Sequence, residues 1–174
     1  MLKRFSLVVV IVVAILILDQ FTKWLVASHM QVGESIYPIP ALADFFSITF
    51  VTNTGVAFGL FQNGGVLFTI VRIIVIAVIV RYLLHMPSGR WLVRAALSMI
   101  LAGAIGNLID QLRLGYVIDF VAVGWWPKFN VADSSIVVGT IALAISMLLE
   151  GRPSPSRDTV SIHEGHEEAR REQS

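Results

Sequence analysis

Three aspartates, Asp110, Asp119 and Asp133, are the residues of this chain best suited to carry a reaction. Asp119 follows Tyr116-Val117-Ile118 and precedes Phe120-Val121-Ala122-Val123, a lone acid in a hydrophobic stretch. Asp133 heads a run that is otherwise uncharged through Leu149, and Asp110 closes one that begins at Trp91. Two carboxylates that share a site cannot both ionise, so one proton is held between them. The ionised member can then take a proton from water while the protonated one donates to a carbonyl oxygen or a leaving amine. Such a pair hydrolyses amides without metal, thiol or activated serine. Spacing alone does not select which two of the three aspartates form it.

Other chemistries are short of residues. The 174 residues contain no cysteine. That removes a thiolate nucleophile, a disulfide scaffold, a cysteine-ligated zinc and an iron–sulfur site. The four histidines, His29, His85, His163 and His166, all lie outside the apolar runs. A net charge of +1 argues against a nucleic-acid partner held by bulk electrostatics. No metal or other cofactor is expected.

The elements that must position these acids are membrane helices. Hydrophobic residues make up 56% of the chain and charged residues only 14%, against about 25% charge in a soluble domain. Four runs are long enough to cross about 30 Å of hydrocarbon. They are Phe5 to about Ala27, Val66 to Leu84, Trp91 to Ile109, and Val131 to Leu149. In lipid such runs satisfy their backbone as helices. The fold expected is an all-α membrane protein of four transmembrane helices with a small extracytoplasmic β element in the first external loop. A cleaved signal peptide competes for the first run, but Asp19, Gln20 and Lys23 interrupt it before any cleavage site.

Lysine and arginine set the orientation. Lys3, Arg4, Arg81, Arg90, Arg94, Arg152, Arg157, Arg170 and Arg171 fall on one side, and Lys23, Arg72, Arg113 and Lys128 on the other. Both termini are therefore expected in the cytoplasm, with loops at about 28–65 and 110–130 outside. In the first of these, Phe46, Ile48 and Phe50 alternate with Ser47 and Thr49, and Asn53-Thr54-Gly55 follows as a turn signal. Trp125-Trp126-Pro127-Lys128 reads as an interfacial anchor. Residues 1–150 are expected to form one membrane domain. Residues 151–174, rich in Pro, Ser and mixed charge, are expected to be a disordered cytoplasmic tail in which His163-Glu164-Gly165-His166 is solvated rather than metal-binding.

Polar groups inside apolar spans cost about 2.5–3.5 kcal/mol when charged, so they mark function or a partner. Gly103, Gly106, Asn107 and Asp110 fall at i, i+3, i+4, i+7 and share one helical stripe. Asn130, Asp133 and Ser134 open the last helix, where Asp133 could equally be a capping residue. Asp19 and Lys23, at i, i+4, read as a structural pair or an interfacial anchor that snorkels. Ser134 and Ser135 read as packing or bonding within their own helix.

Five blocks, in this order, resemble the bacterial lipoprotein signal peptidases, or type II signal peptidases. They are Leu18-Asp19-Gln20-Phe21-Thr22-Lys23, Asn53-Thr54-Gly55-Val56-Ala57-Phe58, Gly103 through Asp110, Gly115-Tyr116-Val117-Ile118-Asp119-Phe120, and Phe129-Asn130-Val131-Ala132-Asp133-Ser134. The resemblance implies a multipass aspartic endopeptidase of the bacterial inner membrane, active on its extracytoplasmic side. Its substrates would be prolipoproteins, cut just before a diacylglyceryl-modified cysteine, with membrane lipid and the substrate as the only partners of a monomer. It puts the catalytic pair on Asp119 and Asp133, and it makes Asn53, Gly55, Asn107, Asp110 and Asn130 residues that shape or hold the site. The family usually has Asp-Arg where this chain has Asp110-Gln111, so Arg113 is expected to supply the missing charge to the substrate.

Two other readings compete. A proton-coupled small transporter would also carry intramembrane carboxylates, nearer the bilayer midplane and with an internal repeat; neither is visible. A serine–lysine protease would pair Ser134 or Ser135 with Lys23, but Asp19 already lies one turn from Lys23.

Overall fold

The computed structural model describes residues 2–55, 64–87 and 89–150. Among them are α1 (Leu2–His29), β1 (Ser35–Ile36), a short 3-10 turn (Pro40–Leu42), β2 (Phe46–Asn53), α2 (Gly64–His85), α3 (Trp91–Leu114), β3 (Val117–Val123) and α4 (Val131–Glu150). All four helices are long and apolar enough to cross a membrane. The expected spans stand, with one extension: α3 continues five residues beyond Ile109, so Asp110 lies inside the helix rather than at its end. The tail and its His163-Glu164-Gly165-His166 motif lie outside the described residues.

Helix α3 is the centre of the bundle. Most of its span is buried, whereas α1, α2 and α4 turn Val10, Ile17, Ile74, Val78, Ile141 and Leu148 outward. That surface suits lipid, where an exposed aliphatic side chain carries no penalty. Glycine permits the close packing of α3 on α4. A Cβ on Gly103 would collide with the Ala132 carbonyl and the Ser135 hydroxyl, and one on Gly139 would lie 2.7 Å from the Ala96 carbonyl. Ser135 then donates both to Ala132 O in its own helix (2.7 Å) and across to Met99 O of α3 (3.2 Å). The expectation that it bonds only within its helix was therefore incomplete.

Two apolar cores flank this contact. Ile79, Leu83 and Met86 pack on Val93, Leu97 and Leu101 where α2 meets α3. There the buried Arg94 guanidinium donates to the carbonyls of Met86 and Pro87 (3.4 and 3.3 Å), closing the short turn. At the opposite end, Val26 of α1 and Met30 just beyond it pack against Phe50, Ile118 and Phe120 of the sheet.

That sheet contains the expected β element and extends it. It is antiparallel, ordered β1-β2-β3, and only its first two strands come from the first loop. The third is the segment after α3, with Val51 opposite Asp119 and Asn53 opposite Val117. An irregularity between Ile48 and Val51 leaves two residues of β2, Thr49 and Phe50, opposite one of β3, Phe120. The lone acid of the hydrophobic stretch is thus a strand residue, carried over the end of the bundle by pairing with a distant loop.

Candidate active site

The N-terminus of α4 organises the site. Asn130 caps it: its Oδ1 accepts the Asp133 N–H (2.9 Å), and Asp133 Oδ2 accepts the Asn130 N–H (3.2 Å). This is the reciprocal pattern of a capping box, which satisfies donors that every helix start leaves open. Asp19 of α1 satisfies a further one, its Oδ1 accepting the Ala132 N–H at 2.9 Å. Gly106 makes room for that carboxylate, because a Cβ there would sit 2.7 Å from Asp19 Oδ2.

The Asn130 amide is fully buried and points the other way, into the site. Its Nδ2 donates to Asp119 Oδ1 (2.8 Å), Ile118 O (3.1 Å) and Asn107 Oδ1 (3.1 Å). Asn107 Nδ2 donates in turn to Asp133 Oδ1 at 2.7 Å. The second Asp119 oxygen accepts from Asn53 Nδ2 at 2.9 Å. Asp119 and Asp133 are therefore held by one connected set of amides, drawn from β2, α3 and the α4 cap. Of the three candidate aspartates, these two share a partner.

Asp110 belongs to a second layer. Lys23 Nζ lies 2.9 Å from Asp19 Oδ2, 2.9 Å from Asp110 Oδ2 and 3.1 Å from Asn107 Oδ1. An ammonium has three donors, and all three are used. Asp110 Oδ2 also accepts the Ile118 N–H at 3.2 Å, tying α3 to the start of β3. Lys23 is 2% and Asp19 0% exposed, so this pair does not snorkel at the interface. It is a buried ion cluster, stable because every member has a partner. The serine–lysine reading fails on the same geometry: Lys23 is taken by two carboxylates, and Ser134 Oγ donates to Asn130 O at 2.9 Å.

Burial pushes the Asp119 carboxyl up to about 6, and the nearby Asp133 charge adds to that effect. The hydrogen bonds from Asn53 and Asn130 and the charge of Lys23 oppose it. A carboxyl poised there can hold a proton near neutral pH, as a general acid must.

Asn53 and Arg113 stand in different surroundings. The Asn53 amide, expected to shape or hold the site, is committed to Asp119, while its Oδ1 accepts the Gly55 N–H at 2.9 Å. Gly55 adopts φ +75°, a left-handed conformation that glycine tolerates, and its α-carbon faces the Phe68 ring of α2. Arg113 is exposed on the last turn of α3 and makes no hydrogen bond or ion pair among the described residues. It rims a cavity of about 160 Å³ lined by Gln20, Lys23, Trp24 and Asp110. Gln111 closes its own helix, with Nε2 donating to Gly115 O at 2.8 Å.

Gln20 was not foreseen. Its Nε2 donates to Asp110 Oδ1 (3.0 Å) and Asp19 Oδ2 (3.1 Å), bracing the carboxylates on either side of Lys23. An amide within an apolar span was the available signal.

Comparisons with known proteins point to one family. The family model described as Signal peptidase (SPase) II matches residues 11–149. A lipoprotein signal peptidase of Caldanaerobacter subterraneus subsp. tengcongensis is 45% identical over 145 residues, covering 82% of this chain and 97% of its own. One of Moorella thermoacetica is 42% identical, covering 78% and 88%. A solved bacterial membrane enzyme superposes with a TM-score of 0.77 at 32% identity, covering 86% of this chain and 93% of that one. Nothing among these findings supports a transporter. With a buried carboxylate and a half-buried one joined through one amide network at the end of a four-helix bundle, the chain belongs to the signal peptidase II family.

Proposed function

We propose that Asp119 and Asp133 are the catalytic pair of this peptidase. As a member of its family the chain is an aspartic endopeptidase that removes signal peptides from prolipoproteins. Cleavage falls just before the diacylglyceryl-modified cysteine. The observation that carries the assignment is Asn130, which donates from its side chain to Asp119 Oδ1 and from its backbone to Asp133 Oδ2. One residue thereby fixes the positions of both carboxylates.

Asp119, raised to about 6, holds the shared proton. Asp133, both of whose oxygens accept N–H donors, is the base that takes a proton from the attacking water. Water adds to the scissile carbonyl carbon while Asp119 donates to the carbonyl oxygen. Collapse of the tetrahedral intermediate returns a proton to the leaving amine. Asn107 and Asn130 hold the carboxylates, and Asn53 tunes Asp119. Asp19, Lys23, Gln20 and Asp110 keep α1, α3 and the head of α4 in register beneath them.

The surplus of Lys and Arg at the α2–α3 turn and both termini supports a cytoplasmic location for those regions and an extracytoplasmic one for the pair. Trp125 and Trp126, both exposed, then rest in the outer interface. One chain supplies every polar partner of the pair, so a monomer suffices. Incubating purified Asp119→Asn and Asp133→Asn with a lipidated signal-peptide substrate tests the assignment: neither should release product, whereas Ser134→Ala should.

A further inference from the structure

Arg72 is the charged group that the site leaves unexplained. It lies within the apolar span of α2, in the half nearer the site, and its buried Nη1 has no hydrogen-bond partner among the described residues. Neither does the rest of the guanidinium make an ion pair there. A buried donor without an acceptor is rare in native proteins and calls for a partner.

The direction of the side chain follows from its neighbours on the helix. Phe68, Arg72, Ile76, Ile79 and Leu83 recur at intervals of four, four, three and four, one stripe of α2. The lower part of that stripe is inside the bundle: Ile79 and Leu83 belong to the core shared with Val93, Leu97 and Leu101 of α3, and Ile76 packs against it. Its top faces the site loop, because the Phe68 ring lies against Gly55, two residues from the Asn53 that holds Asp119. Arg72 therefore sits one turn below the rim of the active site, facing the bundle rather than open lipid.

The acceptor must exist at that depth. Water is scarce there, and the carbonyls of a spanning signal-peptide helix are used within it. Ester carbonyls, at the junction of glycerol and acyl chain, are the oxygen acceptors that a lipid brings into this layer. The planar guanidinium offers a fork of donors that can engage two of them together. We propose that Arg72 binds the two ester carbonyls of the diacylglyceryl group on the substrate cysteine, and so selects a lipidated substrate. The idea rests on the function proposed above, since only a substrate cut at the Asp119–Asp133 pair would bring its glycerol to this position. A bulk phospholipid carries the same esters, so the test must separate the two sources.

The experiment is steady-state cleavage in phospholipid-free detergent. One peptide carries the natural diester glyceryl group, and a matched peptide carries a dialkyl-ether glyceryl group that lacks both carbonyls. Arg72→Gln should raise KM for the diester about tenfold, the loss expected for hydrogen bonds from a charged donor, with kcat little changed. KM for the diether should not respond to the substitution. Arg72→Lys keeps the charge without the fork and should show a partial diester loss only; it carries the test should Arg72→Gln unfold. Equal losses on both peptides would overturn the proposal in favour of a structural role. No loss on the diester would overturn it too, as would a loss that appears only after phosphatidylglycerol is added. Failure of the unmodified protein to cut the diester would instead sink the functional reading itself.

Discussion

Asn130 and Asp133 exchange two hydrogen bonds, side chain to backbone in both directions, at 2.9 and 3.2 Å. The cap of α4 and one half of the proposed catalytic pair are therefore the same residues. Capping was the plain alternative to catalysis for Asp133, and both descriptions apply. The carboxylate is oriented by the helix that it helps to start, so no separate support is required.

Asn130 variants should separate the two roles. Asn130→Ala removes the cap acceptor and should cost about 1–2 kcal/mol of stability together with most activity. Asn130→Asp keeps an acceptor for the Asp133 N–H but loses the donors to Asp119 and Asn107, and adds a buried charge. It should still cap, yet be as inactive as alanine. Thermal unfolding in detergent beside cleavage of a lipidated peptide reads both; an active Asn130→Asp would contradict the shared-amide model.

Either aspartate alone should be useless. Asp119→Asn and Asp133→Asn should each lower cleavage by at least about a thousandfold, and the double variant should be little worse, because groups that act as a unit are not additive. Multiplicative losses in the double variant would mean that they act independently.

Activity should decline as pH rises through about 6, where Asp119 gives up the proton that the mechanism requires. Asn53 donates to the ionised carboxylate and holds its pKa down, so Asn53→Ala should move that limb to higher pH. Stability should follow the same group. Asp119 binds its proton more tightly when folded than when unfolded, so its contribution is fully present below its unfolded value of 3.8 and is lost as pH rises through about 6. Asp119→Asn should flatten this part of the stability profile. An unchanged profile would place the titration elsewhere.

Lys23 should matter to folding far more than an exposed lysine would. Removing it leaves Asp19 and Asp110 buried without their cation, a loss of about 3–5 kcal/mol. Lys23→Ala should accumulate poorly and unfold at lower temperature, and adding Asp110→Asn should restore part of the loss. The fraction that folds should retain measurable turnover; a stable Lys23→Ala would show that water replaces the ammonium.

Reporter fusions after Gly64 and after Pro153 should lie on opposite sides of the membrane, as the distribution of Lys and Arg requires. A shared side would refute the four-span topology.

Much of this protein is legible in its sequence because lipid imposes strict local rules. A run such as Val131–Leu149 has one way to satisfy its backbone there, and Gly103 and Gly106 announce a close helix contact before any partner is known. The resemblance of five short blocks singled out Asp119 and Asp133, yet spacing alone left Asp110 as an equal candidate. What separated them was tertiary: Lys23 draws Asp110 into the layer below, and Asn130 joins the other two. The pairing of β3 with β2 was likewise invisible, because Asn53 and Asp119, 66 residues apart, carry no local signal of each other. The same holds for Asp19, a capping group whose helix lies 113 positions downstream. Periodicity and solvent act on neighbours along the chain. The partners of a buried polar group are decided only when the folded bundle excludes water and each donor must find an acceptor.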